Sequence, residues 1–543
     1  MTAPVGIVAL AAPKIDYLSI LPVLVMLGGA IAILAASSVL RRRMDPTVAS
    51  ALTVMTTLAA LSLSLVQWFD VANHGAHVSI DSAVVEDGFS SLVAVLVSCA
   101  ALLSALVVDG WMRREHATGP EFQALMLLSS SGAMIMAEAN DLIVIFLGLE
   151  ILSIALYVLA AMNARRAESG EAALKYFVLG AFSSAVFLYG IALVYGATGS
   201  TNLPQIADYL ARNLLLHNGL LLAGMALLLV GFGFKIAAVP FHLWTPDVYQ
   251  GSPTPATGFM AAVAKAGGFA ALLRVFVSSF STLRSDWMPA VWVLAALTLV
   301  LGAVVALAQR DIKRMLAYSS INHAGFVLLG LQVATARGVE GSLYYLFVYT
   351  FMVIGSFAVV TVIGGAGDTR HDLDHYRGLA SRRPWLAGSL GLLLMAQAGI
   401  PFTTGFLAKL EVISASVGGR STALAVIAMV SAAIAAFFYL RVILLMYSPT
   451  TAPAAGAPAL SGAPDGERLP EGSGGGPEAP EAAGEAEHST LTLVEEASGG
   501  AEASPVGATT ATAIALCVAV TVVFGVWPAP IVNFAHHATL LFR

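Results

Sequence analysis

Most of the chain alternates long apolar runs with short polar breaks, as where LLLAGMALLLV (220–230) gives way to GFGFKIAAVPFHLW (231–244). A bilayer core about 30 Å thick takes about 20 apolar residues per helix. That spacing predicts about fourteen spans. They lie near 17–40, 47–69, 88–108, 120–137, 141–162, 172–196, 217–244, 254–280, 287–308, 313–334, 341–366, 384–416, 421–447 and 509–531. The fold class is therefore an all-α polytopic membrane protein. Tyr17–Leu40 reads as a retained span, because no charged start or small-residue cleavage site accompanies it.

Composition agrees: 58% of residues are hydrophobic and 11% charged, against roughly 25% charged in a soluble chain. The net charge of −6 gathers in one acidic Ala/Gly/Pro-rich stretch, 448–508, which predicts a disordered loop and no nucleic-acid partner. Cys99 and Cys517 each sit in an apolar run, which excludes a disulfide framework. Cytoplasmic loops carry the excess of Lys and Arg. Sixteen of these residues, including Arg41–Arg43, Arg113, Arg114, Arg165 and Arg166, follow odd-numbered spans, against six on the other face. Both termini are then expected outside.

Two spans contain a proline-centred interruption, AAVPFHLW at 237–244 in span 7 and AGIPFTTGF at 398–406 in span 12. The two breaks read alike and lie five spans apart on oppositely directed helices. This pattern predicts two inverted five-helix repeats with discontinuous helices 7 and 12. The chain divides into 1–119 (spans 1–3), 120–280 (spans 4–8), 281–447 (spans 9–13), the loop 448–508 and 509–543 (span 14).

A charge at the centre of a membrane helix costs about 2.5–3.5 kcal/mol even on the lenient insertion scale. The charges left inside spans are therefore the informative ones. Arg441 lies close enough to the cytoplasmic end of span 13 to reach the interface, and Arg274 and Glu411, near span ends, read as structural. Glu150 and Lys265 sit near the midplane. Ser153 and Tyr157 make one face of the Glu150 helix polar, and small residues flank Lys265 in FMAAVAKAGGFAALL. Lys235 and Lys409 each adjoin a helix break, where backbone groups must face protein or water. Burial depresses a lysine pKa and a neighbouring carboxylate opposes that shift, so a glutamate moving toward or away from such a lysine would load or release a proton. His323, in RMLAYSSINHAGFVLLG, suits a relay; a hydrogen-bonded structural role reads almost equally well. There is no P-loop, no dinucleotide fingerprint after a strand and no metal-ligand cluster.

FLGLEILSIALYVL, FGFKIAAVPFHLWTPDVYQGSPTPATGFMAAVAKAGGF, QRDIKRMLAYSSINHAGF and GIPFTTGFLAKL resemble the antiporter-like membrane subunits of respiratory complex I, NADH–quinone oxidoreductase. The likeness extends over about 120–445 and is greatest to the subunit N branch, because Lys409 stands where subunit M carries a glutamate. No long lateral helix, as in subunit L, is expected after span 14. The resemblance implies fourteen helices with inverted repeats, and Glu150, Lys235, Lys265 and Lys409 as proton-translocation residues. It implies a bacterial plasma-membrane location and other membrane-arm subunits as partners, including further antiporter-like ones. NADH, FMN, iron–sulfur clusters and quinone are expected in partner subunits, and no cofactor or active site in this chain. Two rivals stand beside this reading: a subunit of a multi-subunit Na⁺/H⁺ antiporter, and a non-pumping scaffold of a hydrogenase or dehydrogenase complex.

Overall fold

A computed structural model describes residues 15–39, 45–117, 119–163, 166–213, 218–449 and 506–538. The body of the acidic loop, residues 450–505, lies outside them. The chain opens with α1 (Leu21–Val39), α2 (Pro46–His74), a hairpin of β1 (His77–Ser79) and β2 (Val84–Glu86), and α3 (Gly88–Arg114). It continues through α4 (Glu121–Glu138), α5 (Leu142–Ala160), α6 (Ala167–Thr198), α7 (Leu203–Arg212), α8 (Gly219–Lys235), α9 (Trp244–Gly251) and α10 (Thr254–Leu273). Next come α11 (Arg284–Leu307), α12 (Ile312–Val333), α13 (Ala336–Gly364), α14 (Leu379–Arg382), α15 (Pro384–Ala398), α16 (Thr404–Gly418) and α17 (Thr422–Tyr447). Helices α18 (Ala508–Val526) and α19 (Ala529–His537) complete the described chain.

Among the described residues, ten helices are long and apolar enough to cross a membrane, and α8 and α15 are shorter apolar helices. The prevailing architecture is all-α, as the apolar runs predicted. The β hairpin is an addition that these runs concealed. Val84 and Val85 supply its buried strand, and Ile80, Asp81 and Ser82 take left-handed backbone to close it.

Helices α3, α10 and α13 are almost wholly buried by the chain's own side chains, whereas most residues of α1, α2, α6, α17 and α18 are at least partly exposed. Exposed Leu174, Phe177, Val178 and Phe182 on α6 suit contact with lipid tails. Close packing at the centre depends on small residues. A Cβ on Gly132 of α4 would stand 2.4 Å from the Leu152 backbone nitrogen of α5.

Helix ends and begins again around both proline-centred stretches. Helix α8 stops at Lys235, and residues 236–243 form turns before α9 begins. Two polar groups of this break find partners within the protein, as a low-dielectric setting favours. The Trp244 indole donates to Phe234 O at 3.1 Å, and Val239 N donates to Thr298 Oγ1 at 3.0 Å. Helix α15 likewise stops at Ala398, with α16 beginning at Thr404.

Candidate functional site

Lys235 is the last residue of α8. Its ammonium crosses to α5 and donates to Ser153 Oγ at 2.8 Å, above the Tyr176 ring. Glu150 lies one turn before Ser153 on α5. The two charges form no ion pair at this geometry: the Lys235 ammonium is bonded to Ser153, and Glu150 Oε1 is buried with no hydrogen-bond partner. A cavity of about 10 Å³ lined by Ser153, Tyr157, Ser183, Ser184 and Lys235 has room for about one water.

Lys265 is in the middle of α10 and only 4% exposed. Its ammonium donates to the Ser320 carbonyl of α12 and lies 5.9 Å from the Tyr349 ring centre. Ser320 Oγ accepts from Tyr349 Oη at 2.8 Å. The stem of Lys235 packs against the α10 backbone one turn beyond Lys265, because Gly268 leaves room for it.

His323, one turn further along α12 from Ser320, has both ring nitrogens occupied. Nδ1 is 2.7 Å from Tyr345 Oη and Nε2 is 3.1 Å from Tyr439 Oη, while the ring packs on Tyr349. Tyr439 also hydrogen-bonds to Ser319, which donates to Gln397 Oε1 at 3.4 Å. Gln397 leads to the last predicted residue. Lys409 donates to the Gln397 carbonyl at 2.9 Å and to the Ala398 carbonyl at 2.7 Å. These carbonyls end α15, where unsatisfied acceptors and the helix dipole both favour a cation. Gly399 permits the arrangement, since its φ is +88° and a Cβ there would lie 2.9 Å from Lys409 Cδ.

Lys265, His323 and Lys409 thus lie along one buried polar row, with Lys235 and Glu150 beside its start. Sequence reasoning missed Tyr345, Tyr349, Tyr439 and Gln397. A period-3.6 search for polar residues on α13 would have flagged Tyr345 and Tyr349, though not their partners.

The start of the row is held by a second group that the sequence reading left as loop. Asp368 is fully buried. It accepts from Thr254 N and Thr254 Oγ1 at 2.9 and 2.7 Å and lies 3.6 Å from Lys313 Nζ and 3.2 Å from His371 Nε2. Thr254 begins α10 and Lys313 is in the first turn of α12, so this clamp sets the register of Lys265 against Ser320. Burial alone would raise the Asp368 carboxyl, but Lys313, His371 and Thr254 outweigh it and hold the group well below the usual carboxylate range.

Of the charges read as structural, Arg274 makes a two-pronged ion pair with Asp87, both contacts at 2.9 Å. Arg441 turns inward and caps α11, donating to Leu307 O at 2.7 Å and to Gln309 O.

A family model described as "NADH:quinone oxidoreductase/Mrp antiporter, TM" matches residues 139–435, which hold all five predicted site residues. The chain belongs to this NADH:quinone oxidoreductase/Mrp antiporter family. It is 46% identical over 369 residues to "NADH-quinone oxidoreductase subunit N" of Trichlorobacter lovleyi, covering 68% of this chain and 76% of the relative. It superposes on a chain of the respiratory complex I of Thermus thermophilus with bound aureothin, at 29% identity and a TM-score of 0.72, covering 94% of this chain and 98% of that one. The fold also matches a chain of the Mrp complex from Dietzia sp. DQ12-45-1b, with a TM-score of 0.78 at 20% identity over 96% of each. Family membership makes the chain a multi-pass membrane subunit of assemblies built from several subunits.

Proposed function

We propose that this chain is a membrane-arm subunit of respiratory complex I, of the subunit N type, and carries protons across the bacterial membrane while other subunits reduce quinone. The observation that carries the reading is the buried polar row from Lys265 to Lys409. Lys265 is the central relay. His323 takes a proton on one ring nitrogen from one tyrosine side and releases one from the other, as an imidazole with both nitrogens engaged is able to do. Lys409 is the exchange point with the outer side. Glu150 and Lys235 form the modulating pair: a small approach of the carboxylate favours the charged lysine, and a retreat favours release.

Fourteen spans fit this reading if α4 and α12 cross the membrane and each broken pair, α8–α9 and α15–α16, counts once. The two units, spans 4–8 and 9–13, are then inverted repeats, the excess of Lys and Arg places both termini outside, and further antiporter-like subunits are the neighbours. The redox groups belong to those partner subunits, and no step in this chain needs one.

The test is Lys265→Ala in the intact complex. Assembly and quinone reduction should survive at a reduced rate, while protons pumped per NADH fall several-fold in reconstituted vesicles. Unchanged stoichiometry would overturn the relay. Sodium flux without NADH oxidation would instead favour the antiporter reading.

A further inference from the structure

A second cluster of ionisable groups, away from the polar row, lies where α2, α4 and α10 end. Arg274 follows the last residue of α10 and is fully buried. Its guanidinium is committed to Asp87 through two contacts and to Ala137 O at 2.8 Å. That pairing neutralises the arginine. Two further carboxyl groups share the site, Glu86 at the end of β2 (2% exposed) and Glu138 at the end of α4 (4% exposed). An antiparallel bridge between Val84 and Ala139 brings the two segments together. The charged neighbours of Glu138 are Glu86, Arg274 and Asp87, and those of Glu86 include Asp70, His77 and Asp16. His77 is partly exposed and already lies 3.5 Å from Asp70.

Glu86 Oε1 is buried, with the Ser19 hydroxyl beside it as its one side-chain donor, and Asn140 Oδ1 nearby is buried without a partner. Two ionised carboxylates in such a place would share only the Ser19 hydroxyl, a partly exposed His77 and an arginine already paired with Asp87, a cost that neutralising one of them avoids. Two neighbouring buried carboxyls also oppose each other's ionisation and titrate as a pair. We propose that Glu86 and Glu138 hold one proton between them and exchange it with the outer aqueous phase, with Arg274–Asp87 as the fixed framework of the site. The exchange step is simple: the carboxyl O–H breaks and water takes the proton, and in the reverse step water returns a proton to the carboxylate pair. Burial also pushes the Glu86 carboxyl above its ordinary range, which agrees with the charge count.

The outward placing rests on the orientation proposed above, in which α2, α4 and α10 end outside. The ligand is a proton, so the probe is pH itself. Infrared difference spectra of the purified complex across neutral pH should show the C=O band of a protonated, water-excluded carboxyl. Glu138→Gln should remove that band and Glu86→Gln should remove or shift it, and in both variants protons pumped per NADH should fall several-fold. Absence of the band in the native complex would overturn the proposal. So would loss of the band with pumping unchanged, because the proton would then be static. If Glu138→Gln fails to assemble, Glu86→Gln decides, since that residue lies on the hairpin outside the helices. Lys265→Ala separates the two readings: normal pumping there overturns the relay, while the carboxyl band still reports on the Glu86–Glu138 pair.

Discussion

Lys235 and Lys409 each adjoin a broken helix, yet their ammonium groups are held in different ways. Lys409 donates to two backbone carbonyls at the end of α15, so its charge completes a helix terminus. Lys235 ends its own helix and reaches sideways to one hydroxyl, Ser153 Oγ on α5. The first is anchored to main chain, which cannot rotate away. The second is anchored to a rotor one turn from Glu150. A proton carrier bound to backbone has a fixed address, whereas one bound to a side chain has a setting that a neighbouring carboxylate can alter. The backbones of the breaks differ as well. One break places its left-handed backbone at Gly399 (φ +88°) and Phe402 (φ +66°), the other at Ala237 (φ +60°), a conformation that costs a residue with a Cβ roughly 1–2 kcal/mol.

The largest effect should come from loosening the Asp368 clamp, which sets Lys265 against Ser320 between the two breaks. Asp368→Asn removes one partner of a buried ion pair, a change that typically costs about 3–5 kcal/mol, and thermal unfolding of the purified complex would show it. Because the Asp368 carboxyl is held below its ordinary pKa, its stabilising contribution is complete above about pH 3.9 and is lost as the pH falls through its folded value. The gap between wild type and variant should therefore stay constant from about pH 5 to 8 and close only in strong acid. A gap that shrinks at neutral pH would contradict the assignment.

Gly399→Ala comes next, through left-handed strain of about 1–2 kcal/mol plus the crowding of Lys409. Its counterpart, Ala237→Gly, should do the reverse and stabilise the other break by up to about 1 kcal/mol. If both changes destabilise equally, Ala237 is not a strained position of its break. The smallest effect is Ser153→Ala, about 1 kcal/mol for one hydrogen bond. It should shift the pH dependence of pumping more than it shifts stability. The same measurement with no movement in the pH profile would return Ser153 to a packing role.

Glu150, Lys235, Lys265 and Lys409 were legible in the sequence because a charge inside an apolar run has to be explained wherever it lies. The two breaks were legible because Pro240 and Pro401 interrupt hydrogen-bonded helix locally. Tyr345, Tyr349 and Tyr439 were not, since a tyrosine in an apolar helix is unremarkable until its hydroxyl is seen to meet an imidazole from another helix. Asp368 escaped for a related reason. In GGAGDTRHD it reads as one more polar loop residue, and its burial arises only when the starts of α10 and α12 close over it. Glu86 and Glu138 stood at predicted span ends, where a carboxylate ordinarily meets water. Local chemistry was readable; pairings between distant segments were not.

The near-complete burial of α10 has one further consequence. Bilayer thickness and lipid order act on helices that touch acyl chains, by tilting or compressing them. The outward faces of α1, α2, α6, α17 and α18 would feel such changes first. The helix carrying Lys265 touches its own chain on nearly every side, so a membrane remodelled with growth temperature would bend the rim of the molecule while the spacing along its proton path stayed put.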